Sequence, residues 1–234
     1  MDQRCARTNK ASRQESNLRS IHIHTLLYGS NLPLPVALVK ADAYGAPMNE
    51  RLSRTDWLDH GLRQLEDSGP SALSANAMAA SLGVSRGSFY WHFRDIADFR
   101  SALLERWRDW STERVILQLE SKSDPADRLR LLLAGAFGET NPSERSVSAQ
   151  DRAIRAWAAE DSEVARVVDE IDRRRVDYMA AILRDAGVSG PTARERAVFL
   201  YWAYLGREAA PGTGTLLSYE AAAAIADLVL AGAN

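Results

Sequence analysis

Leu82-Gly83-Val84-Ser85-Arg86-Gly87-Ser88-Phe89-Tyr90-Trp91-His92-Phe93 decides the fold of this 234-residue chain. The stretch reads as the turn and second helix of a helix-turn-helix. Ahead of it, Ser74 to Leu82 has helical spacing, with Met78, Ala79 and Leu82 on one face. The small Ala79 allows a second helix to approach closely. Gly83 can take the left-handed conformation that a tight inter-helix turn needs. Val84 and Phe89 supply apolar anchors, and Ser85 is placed to cap the next helix with its side chain. That helix exposes Arg86, Gly87, Ser88, Tyr90 and Trp91, a polar-aromatic set suited to phosphates and base edges.

From Met48 onward the text is helical. Ser53-x-x-Asp56 reads as a capping box, with Leu52 and Trp57 as a hydrophobic staple. Trp57, Leu58, Leu62 and Leu65 form the buried stripe of a helix over 54–67, ended by Gly69-Pro70. Asp95-x-x-Asp98 caps a helix that continues towards Leu119. Asp124-Pro125 opens another, to Phe137. Ser148-x-x-Asp151 reads as the cap of a helix ending near Ala159. A long helix follows from Ser162 to Ala186, stopped by Gly187. Thr192-x-x-Glu195 reads as the cap of the next, and the last runs from Ser218 to Ala231. These signals predict nine helices and no strand.

The turn Leu82-Gly83-Val84-Ser85, the run Gly87-Ser88-Phe89-Tyr90-Trp91-His92-Phe93 and the helix opening at Asp95 resemble the DNA-binding domain of the TetR family of bacterial transcriptional regulators. With the helix at 54–67, the resemblance covers about residues 51–110. It implies an all-α fold: an N-terminal three-helix helix-turn-helix domain over 48–110, and a C-terminal helical ligand-binding and dimerisation domain over 111–234. The run Arg155-Ala156-Trp157-Ala158, and the long helix with Asp172 and Arg175, also look like that family. The implied function is a ligand-responsive regulator, a repressor, that binds a palindromic double-stranded operator as a homodimer.

In a helix-turn-helix the second helix lies in the major groove and the first braces the backbone. Arg86 is placed for a bidentate contact to guanine O6 and N7. Ser74 and Asn76 can reach phosphate, Gly87 lets the helix approach the groove, and Arg54, Ser85 and Ser88 complete the set. The resemblance implies phosphate contacts for Tyr90 and His92, and Trp91 can pack on sugar or on a thymine methyl. The family's next helix carries a phosphate-binding lysine where this chain has Ile96, so Arg94 or Arg100 is expected to take over. For the effector cavity, the large side chains available are Phe137, Trp157, Tyr178, Tyr201 and Trp202. Pairing of the last two helices across a two-fold axis would use Val198, Leu200, Tyr201, Tyr204 and Leu205 with Ile225, Leu228 and Val229.

Composition narrows the alternatives. The net charge is −2, and residues 48–110 hold eight arginines against nine acids. Any attraction to DNA therefore comes from a local basic face. Arg51, Arg54, Arg86, Arg94 and Arg100 are the candidates. The lone Cys5 excludes an intrachain disulfide and fits a reducing cytoplasm. Thr25 to Val39 is too short and too interrupted by glycine and proline to span a membrane. Beyond residue 48 the histidines are His60 and His92, with no Ser-His-Asp order, no metal-ligand spacing and no phosphate-cradling glycine loop. No enzyme and no cofactor is expected. Residues 1–47 lack a helical period and read as an extension upstream of a start at Met48, or as a basic arm. Within them Val39-Lys40-Ala41-Asp42-Ala43-Tyr44-Gly45 resembles the segment of alanine racemases that carries the pyridoxal-phosphate lysine. No alternating strands and helices follow to build the barrel that such a cofactor needs. The other alternative is an interaction protein that uses the helix-turn-helix fold without reading DNA.

Overall fold

The structure, a computed structural model, describes residues 52–138, 142–210 and 216–231, with side chains of 142–147 left aside. The extension 1–47 and its lysine segment lie outside the described residues, as does Arg51. The order is α1 (Arg54–Ser68), α2 (Ala75–Ser81), α3 (Arg86–His92), α4 (Ile96–Arg108), a π-helical turn (Asp109–Glu113), α5 (Arg114–Leu119), α6 (Pro125–Phe137), α7 (Pro142–Ala158), α8 (Ser162–Asp185), α9 (Gly190–Ala209) and α10 (Tyr219–Leu230). The expected helix over 95–119 is present as α4 and α5 joined through the π-turn. Among the described residues the β-type pairing is one isolated bridge, Gly138 with Leu217.

Local chemistry explains most of the punctuation. Ser53 Oγ accepts from the Asp56 N–H, and the Asp56 carboxylate accepts from the Ser53 N–H, closing the capping box. Ser74, Asp95, Asp124, Asp161 and Ser218 cap α2, α4, α6, α8 and α10 with their side chains. Gly83 sits at φ 68° in the turn between α2 and α3. The Val84 N–H donates to the Ala79 carbonyl at 3.0 Å and closes that turn.

Three expected caps are not made. Ser85 precedes α3, but its side chain makes no capping bond. The helix assigned to Ser148 starts six residues earlier, at Pro142, whose fixed φ suits a first helical position. Asp151 is then an interior residue whose carboxylate is taken by arginines. α9 begins at Gly190 rather than Thr192; Ser189 flanks it and its hydroxyl bonds the Thr192 hydroxyl at 3.0 Å.

Two large cores and a small third cluster around Leu119 and Leu131 are present among the described residues. In the first, Phe89 meets Trp57 edge-on at 5.5 Å and packs on Phe93 and Phe99 at 5.2 and 5.4 Å. Such aromatic pairs contribute about 0.5–1.5 kcal/mol each beyond burial. Ile154 and Trp157 of α7, with Val164, Val168 and Ile171 of α8, close the same cluster. The second core joins α6, α8, α9 and α10 through Leu129, Leu133, Met179, Leu183, Leu200 and Ala226.

Candidate nucleic-acid interface and effector cavity

α3 buries Phe89 and turns Arg86, Gly87, Tyr90 and Trp91 outward, at spacings of one, four and five residues. Trp91 is 78% exposed and Tyr90 45%. An indole left in water with nothing packed on it is an unspent binding surface. The Arg86 guanidinium donates to Tyr90 Oη at 2.8 Å and lies 5.2 Å from the centre of its ring. Tyr90 thereby orients the arginine along the outer face of α3. A Cβ on Gly87 would meet only the Ser85 hydroxyl, at 3.7 Å, so packing within the chain does not require a glycine there. Ser74 and Asn76 are exposed at the start of α2, and Ser85 is exposed beside them in chain order at the start of α3. Ser88 and His92 are half-buried. Arg54 bridges α1 to the end of α3: it donates to the His92 carbonyl at 2.8 Å and stacks over Phe93 at 4.4 Å.

The two arginines expected to replace the family's lysine part company. Arg94 is 82% exposed and pairs with Asp95 at 3.1 Å. Arg100 points elsewhere: its guanidinium lies over Trp157 at 5.7 Å and lines a groove between α4 and α8.

The C-terminal half holds a cavity among the π-turn, α5, α6, α8 and α9. Of the five side chains expected to line it, Phe137, Tyr178 and Tyr201 do. Trp157 does not: it is 3% exposed within the core of the helix-turn-helix side, where α7 and α8 press on α4. Trp202 does not either: one residue after Tyr201 it is turned about 100° around α9 and is 67% exposed. The expected dimer face changes for the same reason. Leu200 and Tyr201 are spent inside the protomer, whereas Phe199 and Trp202 on α9 and Leu228 on α10 stand 67%, 67% and 74% exposed.

Sequence reasoning missed the polar network behind the cavity. Asp151, 1% exposed, accepts from Arg155 Nε at 2.9 Å, Arg175 Nη2 at 3.0 Å and Trp107 Nε1 at 3.2 Å. Arg155 also forks onto Asp172 at 2.8 and 3.0 Å. Tyr201 Oη donates to Asp172 at 2.6 Å. Burial alone would push the Asp151 carboxyl up, but Arg175 and Arg155 outweigh it and hold it below the usual aspartate range. Burial likewise opposes the charge on Arg155 and Arg175, and the carboxylates around them more than offset it, so both are raised. Tyr201 is pushed up to about 12, by burial first and then by its bond to Asp172 against the two arginines. The i,i+4 pair Asp151/Arg155 was a legible signal; the meeting with Arg175 needed the fold.

An exposed polar-aromatic helix braced by a capped partner helix, carried on a helical bundle, defines a helix-turn-helix protein. Comparison with known proteins agrees. Residues 58–103 match the family described as bacterial regulatory proteins, tetR family. The HTH-type transcriptional regulator AcrR of Shigella flexneri is 34% identical over 97 residues, 40% of this chain and 44% of that protein. The nucleoid occlusion factor SlmA of Edwardsiella ictaluri is 33% identical over 98 residues, 40% of this chain and 50% of that one. The matched stretch thus spans about half the length of these relatives. The fold extends further. A transcriptional regulator from Rhodococcus sp. Rha1 superposes with a TM-score of 0.60 at 20% identity, over 76% of this chain and 94% of that one. Reduced NemR of Escherichia coli gives 0.58 at 20%, over 75% and 96%. The match to the tetR family of bacterial regulatory proteins lies within the helix-turn-helix domain, over residues 58–103, and beyond it the solved regulators share the fold.

Proposed function

We propose that this protein is a transcriptional repressor that binds a palindromic operator as a homodimer and is released by a small molecule. The observation that carries the reading is the outer face of α3, where the Trp91 ring is left to water and Tyr90, seated edge-on against Phe89, keeps its outer side exposed and holds the Arg86 guanidinium. Arg86 reads a guanine. Ser74, Asn76, Ser85, Tyr90 and His92 hold phosphates, with Gly87 and Ser88 at the groove floor, Trp91 against sugar or a thymine methyl, and Arg54 setting the end of α3. Phe199, Trp202 and Leu228, with Ile225, form the face on which a second copy docks. A two-fold pair of α9 and α10 makes a four-helix interface whose symmetry matches a palindrome. The two reader helices then need a separation of about 34–36 Å or a multiple of it. An occupant of the cavity that favours another separation lowers operator affinity by selecting the non-binding state. Such a protein works in the cytoplasm; among the described residues no helix is long and apolar enough to cross a membrane.

The test is selection of bound duplexes from a random pool, followed by titration of the Arg86→Ala variant. Arg86→Ala should cost about 1–3 kcal/mol and relax base preference at one symmetric position. Failure of the unmodified chain to enrich any palindromic sequence overturns the reading and favours an interaction protein.

A further inference from the structure

The cavity is asymmetric in charge. Its walls are mostly apolar: Val115, Ile116, Leu119, Leu132, Phe137 and Met179. Among the described residues that line it, the ionisable side chains are Arg175, Arg207 and three tyrosines, with no carboxylate. Behind it, ion pairs among the described residues join Arg152, Arg155, Arg175 and Arg207 to Asp151, Asp172 and Glu208, and Glu66 also bears on Arg152. Among these four, Arg207 has the longest ion-pair contact within the described residues. It donates to the Ala136 carbonyl, and Glu208 lies 3.8 Å away but sits closer to Arg152, at 3.1 Å.

Arg175 uses its nitrogens unequally. Nε donates to Thr112 Oγ1 at 2.9 Å, and Nη2 to Ser111 Oγ at 2.9 Å and Asp151 at 3.0 Å. Nη1 has a long 3.5 Å contact to Tyr201 Oη, and that hydroxyl already gives its proton to Asp172. Arg175 and Tyr201 both line the cavity. Nη1 is the donor left for an occupant. In an apolar pocket an anionic oxygen gains most from such a donor, whereas a cation meets two like charges and an uncharged end forgoes the charge-assisted hydrogen bond.

We propose that the cavity binds an apolar molecule ending in one carboxylate, received by Arg175 and Arg207, and that this occupant acts on the reader through the π-turn. The second half rests on the reading of the chain as an effector-released DNA-binding protein. The same guanidinium pins Ser111 and Thr112, two of the five residues of the π-turn, and shares Asp151 with the indole of Trp107 at the end of α4. The other end of α4 carries Phe99 in the reader's core. A π-turn is one extra residue in an α-helix, and π-turns recur at functional sites. A carboxylate that draws Arg175 into the cavity frees the two hydroxyls. Closing the π-turn to α geometry then shifts α4 against α5 by one residue, about 1.5 Å along the axis.

Calorimetry on the full chain decides the ligand class, with hexanoate, octanoate and decanoate each set against the alcohol and the alkylammonium of equal length. The carboxylate should bind at least tenfold tighter than both at one or more lengths. Arg207→Gln should remove that preference while alcohol affinity, which reports an intact cavity, changes less than threefold; Arg207→Lys should keep it. Equal or tighter binding of the alcohol or ammonium, no carboxylate binding below millimolar, or an unchanged preference in Arg207→Gln overturns the proposal. For the route, octanoate should weaken binding to the selected duplex at least tenfold in the unmodified chain and less than threefold in Ser111→Ala/Thr112→Val. Equal release in both overturns the π-turn route. If the chain selects no duplex, the regulator reading fails, while calorimetry still decides the ligand.

Discussion

Replacing Asp151 by asparagine tests the polar network most directly. The substitution keeps the shape and removes the charge. Arg155 retains its forked pair with Asp172, so the loss falls on Arg175. Among the described residues, Asp151 is the carboxylate in ion-pair contact with Arg175, whose side chain is 12% exposed. A guanidinium cannot shed its proton at any workable pH, so the charge stays buried and uncompensated. Breaking a buried pair in this way costs about 3–5 kcal/mol. For a chain of this size that is roughly 6–20 °C in Tm at fixed protein concentration. The pH dependence has a definite sign. The folded carboxyl titrates below the unfolded one, so its contribution is complete above the unfolded value, about 3.9, and is lost as pH falls through the folded value. The difference between the unmodified chain and Asp151→Asn should therefore be flat from neutral pH down to about pH 5 and close in stronger acid. The control is Arg175→Met, alone and combined with Asp151→Asn. If the cost is that of an orphaned cation, the double variant is more stable than the sum of the singles by at least about 2 kcal/mol. Additivity within about 0.5 kcal/mol, measured by urea denaturation, would refute the reasoning.

Gly61 packs under Phe99 and Leu103, whose atoms would lie 2.6 and 2.9 Å from an added Cβ; Gly61→Val should lower stability by about 1–3 kcal/mol in denaturant titration. Trp91→Ala should leave stability within about 0.5 kcal/mol, because its ring is in water, yet weaken duplex binding at least fivefold in a gel-shift titration. Trp202→Glu with Leu228→Glu should give a monomer by light scattering and abolish operator binding without altering the helical circular dichroism per residue; a dimer that persists places the interface elsewhere.

The reader was legible because its signals are local. Ser53 and Asp56, Gly83 and the Phe89/Phe93 spacing each act within a few residues and are found in their expected roles, and Ser74 stands at the helix start where it was expected. Ser148 and Thr192 misled for the converse reason. A serine or threonine three residues before an acid closes a capping box only if the helix starts there and the acid is free to turn back; these two helices start earlier, and Asp151 is held by arginines from α7 and α8. The cavity was half legible. Aromatic residues could be counted, but which of two adjacent ones, Tyr201 or Trp202, faces inward depends on the rotation of α9 against α8. The π-turn left no signal at all, since Ser111 and Thr112 acquire their role only when Arg175 arrives from 63 residues away.

The first core has a consequence for how a chain of this fold can be recombined. The sequence suggests a cut near residue 110, yet Ile154, Trp157, Val164, Val168 and Ile171 belong to the same hydrophobic cluster as Trp57 and Phe89. The reading head is therefore not an interchangeable cassette. Transplanted at residue 110 onto the body of another protein of this fold, it would meet foreign side chains where Trp157 and Val168 should be, and the joint would be loose. A working chimaera must carry the inner faces of α7 and the first half of α8 along with the head, or redesign them to match. The specificity of the reader and the first three turns of the long helix are inherited as a unit.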